Sequence, residues 1–129
     1  MFIFLWFFIR FKSYFSINEL KATRQPVGVA GLISPWNFPL YLLTWKIAPA
    51  MAFGNTFVAK PSEVTSLTAF RLAQLMTEAG LPRGVANFIF GSGPEAGEPL
   101  VVHEKVDLIS FTGSTKVCMT HMIWVIREK

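Results

Sequence analysis

The chain has 129 residues, a length that fits one domain of modest size able to bury most of its apolar surface. Hydrophobic residues make up 52% and charged residues 16%, which indicates either a core-rich α/β domain or a piece of a larger protein. The formal charge of +4 comes from scattered Lys and Arg residues without a nucleic-acid-binding motif, so we expect no nucleic-acid partner.

The sequence has too few cysteine and histidine residues to indicate a disulfide-stabilised secreted protein or a metal-binding protein. Cys118 is the single cysteine, so an internal disulfide is impossible and nothing indicates a secreted framework. His103 and His121 have no cysteine or carboxylate at metal-ligand spacing. We therefore expect no metal site.

The first residues, MFIFLWFFIRF, form the strongest apolar run. Nine uncharged residues precede Arg10, well short of the roughly 20 that span a bilayer. A signal peptide needs a positive start and a small-residue cleavage site, and neither is present. The run is either a buried strand or non-native leader, or an interfacial anchor that places Arg10 and Lys12 at a headgroup boundary. We expect a cytoplasmic protein, with membrane contact through residues 1–12 as the alternative.

Strand and helix patterns alternate after this leader. The apolar stretch Val27–Ile33 lies between two prolines and predicts a buried strand, and Leu40–Phe53 predicts a helix that bends near Pro49. Asn55–Lys60 predicts the second strand. The short connections between these elements favour βαβ units.

The segment from Thr65 to Ala79 is the clearest helix pattern. Thr65 is the predicted N-cap, and Gly80 with Pro82 gives a strong stop signal. The predicted buried face carries Ala69, Phe70, Ala73 and Met76.

The rest of the chain continues the alternation. Ala86–Phe90 predicts a third strand, Pro94–His103 a short helical or irregular segment, and Asp107–Phe111 a fourth strand. The whole pattern predicts an α/β fold in which helices cover both faces of a parallel sheet.

Polar or glycine-rich residues follow every predicted strand: SPWN, KPSE, GSGPEAG and TGST. In an open parallel sheet, ligands bind outside the carboxyl ends of the strands, so these four segments are expected at one edge. GSGPEAG is near the dinucleotide fingerprint but one residue too long before its last glycine, and a simple turn is equally compatible with it. In TGST, Ser114 either caps the next helix or donates to a phosphate.

Two of these segments carry more specific chemistry. In KPSE, Pro61 fixes the backbone so that Lys60 can donate and Glu63 can accept, the pairing that a ribose diol needs, although a surface ion pair is the alternative. In SPWN, the amide of Asn37 follows an apolar run between two prolines. Burying an amide without partners is costly, so Asn37 either caps the next helix or is held ready for a ligand.

Taken in order, the segments PWNFP, GNTFVAKPSE, AGLPRGVANFIFG, GSGPEAG and ISFTGST closely resemble the cofactor domain of the NAD(P)-dependent aldehyde dehydrogenases. The resemblance runs from about Arg24 to Val117 and implies a Rossmann-like cofactor domain. The stretch GLISPWNFPLYLLTWKIAPAMAFGNT is most similar to the branch of this family that oxidises aminomuconic semialdehyde.

The resemblance implies a role for each matching residue. Asn37 aligns with the amide of the oxyanion hole, stiffened by its flanking prolines and shielded from water by Trp36 and Phe38. Glu63 implies NAD rather than NADP, because a carboxylate repels a 2′-phosphate. The implied cofactor-binding residues are Ile33, Ser34, Pro35, Trp36, Lys60, Ser62, Glu63, Gly93, Gly97, Phe111, Gly113 and Ser114. Implied partners are an aldehyde substrate and, for the full-length family, further copies in a homo-oligomer.

The family's nucleophilic cysteine and base glutamate lie beyond the FTGST motif, and neither has a counterpart in this sequence. Cys118 stands where the family usually has glycine, and nothing nearby in sequence lowers its pKa, so an ordinary thiol is expected. We predict three parts: a leader at 1–23, a cofactor-binding fragment at 24–117 and a divergent tail at 118–129, with both ends altered by truncation or splicing. The chain alone is expected to be inactive; the alternative is a non-catalytic dinucleotide-binding or interaction module.

Overall fold

The computed structural model describes residues 10–16 and 19–120, with side chains from Gln25 onward. The first strands, β1 (Arg10–Ser16) and β2 (Glu19–Gln25), form a two-stranded antiparallel ribbon in which Arg10 is paired with Gln25. The apolar run predicted as a buried strand or an anchor lies, for its residues 1–9, outside the described part of the chain. No helix within the described ranges is both long and apolar enough to cross a membrane.

The second sheet carries the rest of the fold. Its strands are β3 (Val29–Ile33), β4 (Thr56–Lys60), β5 (Ala86–Phe88) and β6 (Leu108–Phe111), and all of them are parallel in the order β5-β4-β3-β6. The predicted parallel sheet is therefore confirmed. All four strands are shorter than predicted, and β3 begins at Val29 because Gly28 adopts a φ of +123°, outside the extended range.

One face of this sheet is covered by α1 (Pro39–Ala52) and α2 (Ser66–Glu78). Successive residues of a strand point to opposite faces, so alternate residues of β3 and β4 contribute to this side. The core of this face contains Ala30, Leu32, Leu43, Ile47, Ala50, Phe57, Ala59 and Ala69.

The other face is covered by α3 (Glu98–Val102). Ile33 and the neighbouring Val29 and Val58 supply the strand residues of a second, smaller apolar cluster, together with Leu100, Val101 and Val106. Helices thus lie on both faces of the sheet, as predicted.

Two details of α2 differ from the prediction. Phe70 is 50% exposed, and Leu72 packs against the core with Met76 instead, because the buried stripe of the helix is centred on Ala69. Thr65 is the N-cap residue, but its side chain makes no capping hydrogen bond; its hydroxyl donates to the carbonyl oxygen of Ser62 at 3.3 Å. A 3-10 turn, Glu63–Thr65, joins β4 to the helix.

The strand order creates a switch point between β3 and β6. The chain moves from β3 to β4 and β5 on one side, then returns to add β6 on the other side of β3. In open α/β sheets, ligands bind in the crevice outside the carboxyl ends of strands at such a point. Ile33 and Phe111, the last residues of β3 and β6, are paired there.

Candidate functional site

A cleft of about 670 Å³ lies at the carboxyl ends of β3, β4 and β6. It contains residues from all four of the segments that follow the strands. The lining residues are Ile33, Ser34, Pro35, Trp36, Asn37, Lys60, Ser62, Glu63, Gly93, Gly97, Phe111, Thr112, Gly113, Ser114, Thr115 and Val117. The structure therefore brings together Asn37 and every residue named as an implied cofactor-binding residue.

Three lining residues, Thr112, Thr115 and Val117, were not among the predicted site residues. The two threonines belong to the TGST segment and Val117 is two residues further on, so their position next to a predicted strand end was the available signal.

Two buried hydroxyl groups border the cleft without a hydrogen-bond partner in the described part of the chain. Ser34 directly follows β3 and Thr112 directly follows β6. Buried polar atoms in native structures nearly always have a partner, and exceptions cluster at functional sites. These two hydroxyls therefore indicate a ligand site at the switch point. A bound ligand, or a small local rearrangement when it binds, would supply the missing hydrogen bonds.

Asn37 is exposed at the mouth of the cleft. The residue that caps α1 is Phe38, and no side-chain hydrogen bond caps the helix, so the capping role considered for Asn37 is wrong. Trp36 and Phe38 are 66% and 62% exposed, so the expected shielding of Asn37 from water is also absent within the described residues. The amide is free to meet a ligand.

Lys60 and Glu63 form an ion pair with 3.4 Å between Nζ and Oε2. This is not an ordinary surface pair, because Lys60 is only 4% exposed while the Glu63 side chain is 57% exposed. The pKa of the Glu63 carboxyl is lowered, first by a hydrogen bond from its own backbone N–H and further by the charge of Lys60. The cleft thus presents the buried ammonium group of Lys60, a hydrogen-bond donor, beside the ionised carboxylate of Glu63, an acceptor.

The GSGPEAG segment forms a π-helical turn, Gly93–Gly97, that leads into α3. Ser92 fixes its start, since the Ser92 hydroxyl accepts from the Glu95 N–H at 3.3 Å and donates to the Glu95 carboxylate at 2.8 Å. A Cβ added at Gly93 would meet no atom within 4 Å. The chain's own packing therefore does not require glycine at position 93.

Gly113 is constrained in the opposite way. A Cβ added at this position would run into the ring of Phe111, so Phe111 packs against this segment. The neighbouring Ser114 accepts from the N–H of Val117 at 3.3 Å and so begins the helical residues 115–120. Its hydroxyl proton remains available, and capping and ligand contact are compatible.

One buried lysine was not singled out from the sequence. Lys46, in α1, is 6% exposed, and its Nζ donates to the Ser110 hydroxyl at 3.0 Å. Burial lowers the pKa of Lys46 from its ordinary value of 10.5 to about 8. The signal available was its place in an apolar helix, four residues after Leu42 and three after Leu43, which are both buried.

Within residues 10–16 and 19–120, no group of three or more His, Cys, Asp or Glu side chains is arranged to hold a metal ion. Cys118 is a free, half-buried thiol in the helical residues 115–120 and does not line the cleft.

Comparisons with known proteins agree with this geometry. The model of the "Aldehyde dehydrogenase family" matches residues 12–122. A 2-aminomuconic semialdehyde dehydrogenase of Danio rerio is 72% identical over 92 residues, 71% of this chain and 19% of that protein, and its counterpart in Homo sapiens is 70% identical over 91 residues, 70% of this chain and 19% of that protein. A structure of an aldehyde dehydrogenase from Bacillus cereus in complex with NAD+ superposes with a TM-score of 0.82 at 44% identity, over 93% of this chain and 25% of that one.

The chain spans about a fifth of the length of the curated relatives it matches. The family match begins inside the predicted leader and ends inside the predicted tail; the boundaries proposed at 24 and 117 stay a prediction. The ordered motifs, the parallel sheet with its Rossmann-like cleft and these matches lead to one conclusion. The chain belongs to the aldehyde dehydrogenase family.

Proposed function

We propose that this chain forms the cofactor-binding part of an enzyme that oxidises an aldehyde to a carboxylic acid with NAD. The observation that carries the proposal is the convergence of four separate sequence segments on one cleft at the switch point of the sheet. The similarity to 2-aminomuconic semialdehyde dehydrogenases favours a semialdehyde substrate for the complete enzyme. Cytoplasmic location and assembly into a homo-oligomer stay predictions for that enzyme.

The residues of the cleft fit a dinucleotide. Its volume, about 670 Å³, lies within the usual range of ligand sites, and a donor and an acceptor, Lys60 and Glu63, lie side by side as a ribose diol requires. At Gly93 the backbone has no side chain between it and open space, so a phosphate or sugar can approach closely. Ser34 and Thr112 add two buried hydroxyls that lack partners in the described chain.

In this proposal each part of the chain has a defined task. Lys60, Ser62 and Glu63 hold the adenosine ribose; Gly113 and Ser114 hold the pyrophosphate; Gly93 and Gly97 allow close approach; residues 33–36 and Phe111 form the walls. When bound, NAD supplies a hydride acceptor. Asn37 presents its amide N–H to the oxygen on which negative charge develops during attack on the aldehyde.

The 129-residue chain by itself is proposed to act as a binding module rather than a catalyst. Covalent oxidation of an aldehyde requires a thiol nucleophile, and the one cysteine, Cys118, lies outside the cleft. We expect the 129-residue chain to bind NAD weakly. It spans about a fifth of the length of its relatives, and each contact to the cofactor that the rest of such a protein supplies is worth about 1 kcal/mol.

Titration calorimetry of the full chain with NAD and NADP tests the role of Glu63. We expect Glu63→Gln to narrow the preference for NAD by roughly tenfold, since the variant removes the charge that repels the 2′-phosphate. The matched control is Glu78→Gln, which removes an exposed carboxylate paired with Arg71 in α2, away from the cleft. An unchanged ratio in Glu63→Gln, or an equal change in Glu78→Gln, would refute the assignment of Glu63.

A further inference from the structure

A second cavity, of about 470 Å³, lies on the face of the parallel sheet that α3 covers. Its floor consists of Val29 in β3, Val58 in β4 and Ile89, which directly follows β5. All of its lining residues differ from those of the cleft at the switch point. The cavity is therefore a separate site, and its volume lies within the usual range of small-molecule sites.

The floor of this second cavity is apolar and only partly covered. Val29, Val58 and Ile89 pack in the smaller apolar cluster but stay half-buried. With five residues, α3 is about 7.5 Å long, whereas four strands side by side extend about 14 Å, so the helix leaves part of the face open. Aliphatic side chains that are half in water gain free energy when an apolar ligand covers them. The floor therefore fits an aliphatic chain.

The turn Gly93–Gly97 separates the second cavity from the cleft. Gly93 and Gly97 line the cleft, whereas Glu95 and Ala96 line the second cavity. The backbone amides of Glu95 and Ala96 therefore report on a ligand in the second cavity, and those of residues 60–63 report on a ligand in the cleft.

The polar side chains that line the second cavity are Glu95, His103 and Lys105. The Glu95 carboxylate already accepts a hydrogen bond from the Ser92 hydroxyl at 2.8 Å. By contrast, no ion pair between residues 25 and 120 involves the exposed ammonium group of Lys105. The Nδ1 of His103 accepts from the N–H of Lys105 at 3.1 Å, so the imidazole proton is on Nε2, where it can donate. Two donors at the edge of an apolar floor favour a ligand with an anionic head group.

We propose that the second cavity binds a medium-chain aliphatic carboxylate. The aliphatic chain lies on the floor of Val29, Val58 and Ile89, and the carboxylate accepts hydrogen bonds from Lys105 and His103. A cationic amphiphile of the same length fits less well, because its head group would meet the ammonium group of Lys105, and the one carboxylate in the cavity already has a hydrogen-bond donor. The site is independent of the cleft, so its ligand binds with or without NAD.

Titration calorimetry of the full 129-residue chain with hexanoate, octanoate and octylamine tests the proposal. Each methylene that the floor covers should tighten binding about fourfold, so octanoate should bind about 15-fold more tightly than hexanoate. Octylamine has the same chain and the opposite charge, and it should bind about tenfold more weakly than octanoate because it loses the charge-assisted hydrogen bonds. In nuclear magnetic resonance spectra, octanoate should shift the amide signals of Ile89, Glu95 and Ala96 and leave those of residues 60–63 in place.

Two variants separate the head group from the chain of the ligand. Lys105→Gln should weaken octanoate binding about tenfold. Its matched control is Arg83→Gln, which removes the same charge from an exposed site outside both cavities and should bind octanoate as wild type does. Ile89→Thr should weaken the binding of octanoate and octylamine alike, because it makes the floor more polar. Circular dichroism identical to wild type shows that the variants keep the fold.

Several results would overturn the proposal. They are no saturable binding of octanoate, equal affinity for octanoate and octylamine, an equal loss in Arg83→Gln, and amide shifts confined to the cleft. A concentration-dependent dimer in analytical ultracentrifugation that Ile89→Thr dissociates would also overturn it, because that result assigns the half-buried floor to a second copy of the chain.

Discussion

Asn55 joins the start of the parallel sheet to the end of α1. Its side-chain oxygen accepts from the N–H groups of Val27 and Gly28 at 2.7 and 3.2 Å, and its amide donates to the carbonyl oxygen of Ala50 at 3.2 Å. The side chain is buried. The Asn55 side chain thus provides a hydrogen-bond acceptor for the N–H groups of Val27 and Gly28, which precede β3.

We expect Asn55→Ala to lower the free energy of unfolding by about 2 kcal/mol, because it leaves the N–H groups of Val27 and Gly28 without the partner that they have in the wild type. Urea denaturation of the chain measures this. Asn87→Ala is the control: Asn87 is exposed and donates to Gly84 and Phe57 carbonyl oxygens, so its removal should cost clearly less. Equal losses in the two variants would show that Asn55 has no special structural role.

Substitutions at Gly113 and Gly93 distinguish an effect on packing from an effect on ligand binding. Gly113→Ala should destabilise the chain by about 1–3 kcal/mol, because the new methyl group meets the ring of Phe111. Gly93→Ala should leave the free energy of unfolding nearly unchanged, since its Cβ faces open space, but should weaken NAD binding by filling that space. Parallel denaturation and calorimetry check both. Undiminished NAD affinity in Gly93→Ala would contradict the assignment of Gly93 to the cofactor.

At the scale of elements, the contact between α1 and β6 depends on pH through Lys46. Burial holds the pKa of Lys46 at about 8 in the folded chain, against 10.5 ordinarily, so between these values the unfolded chain binds more protons. The free energy of unfolding therefore rises with pH in this window, by roughly 3 kcal/mol in all. Below pH 8 the buried charge destabilises the fold in full.

The measurement is a series of urea denaturation curves from pH 7 to 10.5 for wild type and Lys46→Met. The wild type should gain stability relative to the variant as the pH rises through about 8, because only the wild type loses a buried charge. Parallel pH dependence of the two proteins would mean that the pKa of Lys46 is the same in the folded and the unfolded chain, and would contradict the lowered pKa.

The order of the elements was predictable because apolar strands and the stop signal at Gly80 are local features of sequence. The face that each helix buries was harder to predict. Phe70 fits a helical stripe as well as Leu72 does, and only the packing of α2 against α1 and β5 decides which side is buried. The positions of Lys60 and Glu63 followed from parallel strands ending at one edge. The burial of Lys46 depends on Ser110, 64 residues away, and no local pattern encodes that pair.

For the whole molecule, we expect the 129-residue chain to show no aldehyde oxidation. The covalent route needs a thiolate nucleophile in the active site, and the half-buried Cys118 lies outside the cleft. NADH absorbance with purified chain, NAD and an aldehyde should stay at the level of a protein-free blank, and Cys118→Ser should be indistinguishable from wild type. NADH production that is lost in Cys118→Ser would contradict this prediction.

Four segments that are distant in sequence form the proposed binding site for NAD. Nuclear magnetic resonance of the isotope-labelled chain during titration with NAD can show whether they bind the cofactor together. Backbone amide signals of residues 33–37, 60–63, 93–97 and 111–115 should shift together and saturate, while those of Gly28, Asn55 and Gly84 at the opposite edge of the sheet should stay in place. Saturation in the millimolar range would agree with the weak binding expected here. Signals that do not move, or that move mainly at the opposite edge, would contradict the account.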